Sequence, residues 1–190
     1  MSASVLTLFK CLGLAWRLHV AEPSLGFFEA YEHAQAAVAA STDRVSPELL
    51  LAIAFVESRF DVTATSRIEG NTRRMGRYPS TTPPPNLSPR SLFCGPLQTM
   101  AKSWSECIAL RDPHTAYAAS VGELERWMHD RRVRDDITRA LSGYGCGNYG
   151  VTTGKCNMYP QRVLWQLRRF QEGRAPKVHA AEARRGHEDS

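Results

Sequence analysis

Nowhere in this 190-residue chain do apolar residues run unbroken for the length of a membrane span. Lys10 and Arg17 interrupt the most hydrophobic stretch, near the start, and Lys10 falls inside any signal-peptide core drawn there. That stretch is expected to form a helix instead, with Val5, Leu8, Phe9 and Leu12 docking on the domain. Also missing is any Cys-x-x-Cys spacing or histidine cluster, the usual mark of a zinc site. No internal repeat appears, and few segments alternate as strands do. No helix-turn-helix, zinc or stacking-platform signature accompanies the basic residues, so no nucleic-acid partner is expected. Without those features, membrane spans, zinc modules and repeat solenoids lose their main support.

What is present describes an ordinary globular chain, 43% hydrophobic and 23% charged, long enough for one sizeable core. The net charge of +5 favours a polyanionic partner: nucleic acid, an anionic membrane or an acidic wall polymer. The five cysteines are Cys11, Cys94, Cys107, Cys146 and Cys156. Cys146 and Cys156 bracket a glycine-rich stretch and pair easily. Cys94 and Cys107 can pair only if the chain reverses between them, because a continuous helix would hold them roughly 15–20 Å apart. Disulfides are favoured over zinc, and with them an oxidising compartment. Cys11 is left over.

In chain order, residues 25–40 read as a helix burying Leu25, Phe28, Ala36 and Ala39. Ser46 is a good N-cap and Pro47 suits a first helical position, so a second helix opens there and ends near Ser58. On that helix Leu50, Ile53, Ala54 and Glu57 share one face, which sets an acid in an apolar stripe. Residues 67–90 hold five arginines against Glu69 and five prolines, which predicts an extended basic surface loop, solvated or binding. A tight turn at Phe93–Thr99 leads into a helix with Trp104 and Ile108. Asp112-Pro113 opens the next, with Tyr117, Val121, Leu124 and Met128 in its core stripe. A short helix at Ile137–Leu141 precedes a glycine-rich loop at 143–150, where positive φ or close approach by a bulky group is expected. The last helix runs from about Tyr159 to Glu172, burying Val163, Leu164, Leu167 and Phe170.

Four of these pieces resemble motifs of one family. Glu57-Ser58-Arg59-Phe60 resembles the Glu-Ser motif of the soluble lytic transglycosylases, in the goose-lysozyme-like branch of the lysozyme superfamily. Gly95-Pro96-Leu97-Gln98 is similar to their Gly-Leu-Met-Gln turn, and Ala140–Gly145 to their Ala-Tyr-Asn-Ala-Gly segment, with Tyr144 aligned. Tyr159–Val163 resembles the closing Tyr-x-x-x-Val. Gln98 lies farther behind Glu57 than the family usually places it, and the basic, proline-rich segment accounts for the excess. Gly145 also stands where the family has Asn, and Pro96 and Leu97 where it has Leu and Met.

The resemblance implies a mainly α, lysozyme-like single domain, helices around a substrate cleft with at most a small β element. Its domain is expected over 25–172, with an N-terminal extension at 1–24, a basic insertion at 67–92 and a disordered tail at 173–190. It implies cleavage of the β-1,4 bond between N-acetylmuramic acid and N-acetylglucosamine in peptidoglycan. Glu57 would act first as acid and then as base, and the C6 hydroxyl would attack to leave a 1,6-anhydro product. No metal or cofactor is implied. Glu57 suits the acid: apolar neighbours and the carbonyl end of a helix both disfavour a second negative charge. Gln98 is expected to hydrogen-bond a sugar, Tyr144 to line the cleft, and Tyr159 to bring its hydroxyl near Glu57. Ser58 is expected to bond either backbone or substrate.

Asp61, Glu69, Glu106 and Asp112 are the candidates for a second carboxylate. None sits in a motif that demands it, which favours transglycosylation over hydrolysis by a muramidase. A basic nucleic-acid binder and a non-cutting glycan-binding module are the alternatives from other classes. The partners expected are glycan strands and, through the insertion, anionic wall polymers. The setting expected is the periplasm, the cell envelope or outside, or a phage particle or lysis protein.

Overall fold

The computed structural model describes residues 3–69, 72–77, 81–82 and 92–172. Among them the chain is mainly helical, 66%, with seven helices and one small antiparallel sheet. In order they are α1 (Ala3–Ala21), α2 (Phe27–Ala40), α3 (Pro47–Ser58), β1 (Ala64–Glu69), β2 (Thr72–Arg77), β3 (Leu92–Cys94), β4 (Thr99–Ala101), α4 (Trp104–Ala109), α5 (Pro113–Met128), α6 (Ile137–Thr153) and α7 (Met158–Glu172). The expected tail at 173–190 lies outside the described residues, as does most of the proline-rich stretch.

Helix α3 is the core's central rod. Ser46 caps it by accepting from the Leu49 amide at 3.2 Å, and Pro47 occupies its first turn. Leu50, Ile53 and Ala54 are fully buried and Glu57 is 9% exposed, so the predicted face is the buried one. Leu49, Leu51 and Ala52 are buried too, because α7, α2 and α5 all pack against this helix. Each large aliphatic side chain so buried contributes about 1.5–3 kcal/mol. Helix α5 follows prediction. Asp112 caps it through the Thr115 amide at 2.8 Å, and Tyr117, Val121, Leu124 and Met128 are buried.

Several expectations about faces fail. Helix α1 docks with Cys11, Leu14, Ala15 and Leu18, while Val5, Leu8, Phe9 and Leu12 are exposed. Its Ser4–Ala21 window is also long and apolar enough to cross a membrane, with 28% of it buried; Lys10 and Arg17 are too few to lower its hydropathy below that level. On α2, Phe28 is 84% exposed and Ala39 is at the surface; Ala30, Ala34 and Ala37 face inward instead. On α7, Val163 and Phe170 are buried as expected, but Leu164 and Leu167 only half so, since Gln166 takes an inward position.

The sheet, in the order β2-β1-β3-β4, is the largest departure. Residues 67–77 were expected to be loop. Yet β1 pairs with β2 from Ala64 against Arg77 to Glu69 against Thr72, leaving Gly70-Asn71 as the connection. The prolines begin only at Pro79, beyond β2, and do not interrupt the ladder. Between Cys94 and Cys107 the chain does reverse, through β3, a turn and β4, and the two cysteines form a disulfide with Cα atoms 5.3 Å apart. Cys146 and Cys156 form the second, and Cys11 stays free and buried.

The glycine-rich stretch is helix rather than loop. It belongs to α6, kinked at Gly147 where φ is 59° and ψ −152°. The expected reasons for glycine both hold. Gly147 adopts a backbone that favours glycine, and a Cβ on Gly143 would lie 2.4 Å from the Trp127 ring. One on Gly145 would lie 2.6 Å from Tyr159.

Candidate functional site

The last turn of α3 ends at Arg59, whose φ of 55° stops the helix and leaves Glu57 in that last turn. The neighbouring turn at Gly95–Gln98 is bolted to that end. The Ser58 hydroxyl donates to the Pro96 carbonyl at 2.8 Å, so of its two expected roles the backbone one is filled. Gly95 has φ 74°, and a Cβ there would stand 2.0 Å from the Leu110 carbonyl oxygen, so only glycine fits this turn. The Gln98 amide nitrogen donates to the carbonyls of Ala64 at 2.9 Å and Gly95 at 3.0 Å. Its amide nitrogen is thereby committed to backbone. Gln98 fixes the turn that carries it to the cleft wall.

Glu57 opens onto a cleft of about 490 Å³. Gln98 and Tyr144 line it as expected, together with Phe93, Met100, Trp127 and the glycine face of α6 at Gly143, Gly145 and Gly147. Aromatic faces beside bare backbone suit a flat, hydroxylated ligand, which stacks on rings and bonds to peptide groups. Glu57 also borders a groove of about 340 Å³ between α3 and α7, with Arg59, Arg162, Trp165 and Gln166. Glu57 therefore borders two hollows.

Tyr144 is held by its hydroxyl, 2.9 Å from the Leu97 carbonyl, to which it donates, and 3.1 Å from the Ser120 hydroxyl. Ser120 continues to Thr99 at 2.7 Å, linking α5, α6 and β4. Burial, then the Glu57 carboxylate, push the Tyr144 phenol far above its ordinary range, with a smaller push from Glu123. It is a permanent O–H donor. Tyr159 does not line the cleft; its ring packs against Gly145, and its hydroxyl is buried.

Of the four candidates for a second carboxylate, Asp61 is an exit-turn residue. It accepts from the Thr63 amide at 2.9 Å and pairs with Arg77 at 2.6 Å, outside the cleft. Asp112 caps α5, and Glu106 accepts from the Lys102 amide at 2.7 Å and also lies outside the cleft. The Glu69 side chain lies outside those described. The carboxylate that does share the cleft with Glu57 is Glu123, which none of the motifs contains. On α5 it precedes Trp127 by four positions, so the two share a helix face, and both line the cleft. Burial raises the Glu123 carboxyl above its usual range, opposed by the Arg126 guanidinium at 3.5 Å. Its helical spacing from Trp127 was a signal, but only the packing of α5 against α6 gives that signal a direction.

In comparisons with known proteins, no family model matches the chain, and no curated protein or solved structure matches it. The fold and cleft therefore define the class: a mainly helical, disulfide-bonded domain with a buried glutamate at the head of an aromatic and glycine-lined cleft.

Proposed function

We propose that the protein is a peptidoglycan lytic transglycosylase with a lysozyme-like fold. It cleaves the β-1,4 bond between N-acetylmuramic acid and N-acetylglucosamine, with Glu57 as acid and then base. The observation that carries this reading is Glu57 itself, 9% exposed on the last turn of a buried helix and facing a cleft. A glycosidic oxygen leaves only when protonated, and a glutamate in such surroundings keeps its proton more readily than one in water. The carbonyl end of α3 acts in the same direction. Tyr144 lines the same cleft with its hydroxyl hydrogen committed to the Leu97 carbonyl, which holds α6 against the Gly95–Gln98 turn. Ser58 and Gln98 hold the turn, and Tyr159 holds Gly145 and the wall of α6. The two disulfides support work in an oxidising setting such as the cell envelope, and the exposed apolar face of α1 supports a location at a membrane surface.

A hydrolytic muramidase is the second reading, and Glu123 in the cleft is the observation that favours it. Mass spectrometry of muropeptides released from purified peptidoglycan separates the two. A 1,6-anhydromuramic product is expected; reducing-end muramic acid moves the reading to hydrolysis. No release by the folded protein would overturn both.

A further inference from the structure

We propose that Glu123 is a second catalytic carboxylate, ionised and facing the positive charge that develops on the sugar ring as Glu57 protonates the leaving oxygen. The inference rests on the reading of Glu57 as the acid. It begins from placement. Glu57 ends α3 and Glu123 lies in the middle of α5, yet both line one cleft with Tyr144 and Trp127. The Glu123 side chain is 23% exposed, so it is open to a ligand without being freely solvated.

Of the charged and titratable groups around it, the Arg126 guanidinium is the one that favours its anion. Arg126, on the same helix, lies 3.5 Å away and is the one cation lining the cleft among the described residues. Glu57 faces it from α3 and Tyr144 from α6, while Glu106 of α4 shares an adjoining hollow with it. Burial raises the Glu123 carboxyl above its usual range, and Arg126 opposes that rise without cancelling it. Two acids in one cleft with different partners, one beside a guanidinium and one at a helix's carbonyl end, are set for different charges.

In the step, the Glu57 proton passes to the glycosidic oxygen as the C1–O4 bond breaks and its electron pair leaves with that oxygen. The cation at C1 lies against the Glu123 carboxylate, which forms no bond. The C6 hydroxyl of the same sugar then bonds to C1, and its proton returns to Glu57. No proton or electron is left over.

The test is digestion of purified peptidoglycan by wild type, E123Q, E57Q and R126Q, with rates, pH profiles and melting curves for each. Removing Glu123's charge in E123Q is expected to lower kcat on the order of 100-fold, with KM changed by no more than a few-fold and the melting curve little altered. The acidic limb of the wild-type profile is expected to vanish in E123Q and to move to higher pH in R126Q, which a merely structural residue would not do. A fully active E123Q beside an inactive E57Q would overturn the role of Glu123 while leaving the acid intact. A rise in KM alone would overturn it also, making Glu123 a binding residue. A fully active E57Q would instead remove the reading on which the inference rests.

Discussion

The helical frame and the small sheet meet at the cleft, yet they are held by different kinds of interaction. Helix α3 has its cap, its proline start and its stop within about a dozen residues, and its burial comes from α2, α5 and α7 on all sides. The sheet is made of strands of three to six residues, two local antiparallel pairs joined by one long-range pairing of β1 with β3, and it is fastened by the Cys94–Cys107 bridge and the Gln98 amide. Local signals mark where the frame's helices start and stop, whereas the sheet is joined by one long-range pairing and its fasteners. Glu57 belongs to the first and the wall opposite it to the second.

Perturbing each region separately should expose that difference. The largest effect is expected in the frame: Leu50→Ala, fully buried on α3, should cost about 3–5 kcal/mol in urea unfolding and lower the midpoint for every probe alike. If Leu50→Ala loosened only the sheet, the frame would not be the global unit.

A pH effect of about 3 kcal/mol comes next, also in the frame. His33 on α2 sits between Phe60 and Tyr117, its Nδ1 3.2 Å from the Tyr117 hydroxyl, and burial lowers its pKa from 6.5 to about 4. Between those values the unfolded chain binds a proton that the folded one refuses. Stability from this group is therefore complete above about pH 6.5 and lost as pH falls toward 4. Unfolding curves at pH 7 and pH 4.5 should show the loss, and His33→Gln should flatten it; equal slopes in both proteins would contradict the assignment.

Opening the Cys94–Cys107 bridge with paired serines should cost about 2–4 kcal/mol. Here amide exchange should accelerate first in β3, β4 and α4, with α3 protected longer; uniform acceleration would merge the two regions into one. The smallest effect is expected at their joint. Ser58→Ala removes the 2.8 Å bond to Pro96 and should cost about 1 kcal/mol, yet lower activity by loosening the Gly95–Gln98 turn beside Glu57. Unchanged activity would mean that the turn is held without it.

The same contrast explains what was legible in the sequence. Ser46, Pro47 and Asp112 mark helix starts by chemistry that acts within four residues, and α3 and α5 follow them. Glu57 was legible because its helical phase could be counted. Strands β1 and β2 were not, because Arg67, Arg73, Arg74 and the following prolines resemble a solvated loop until cross-strand pairing is known. Gly70-Asn71 between them was the overlooked turn signal. Gly143–Gly150 was read as loop because glycine disfavours helix; the contacts with Trp127 and Tyr159 that require it there are tertiary. The Gln98 motif placed that residue on the cleft wall, and its amide bonds to Ala64 and Gly95 were not readable from it. Glu123 lay in no motif, and only the fold brings it to Glu57.

The most direct test of the account is the initial rate of peptidoglycan solubilisation by wild type and Glu57→Gln, measured together with their melting curves. A glutamine there fills the same space and has no proton to give. The account predicts a fall of roughly 1,000-fold or more with the fold retained. A folded Glu57→Gln protein that dissolves the wall as fast as wild type would contradict it.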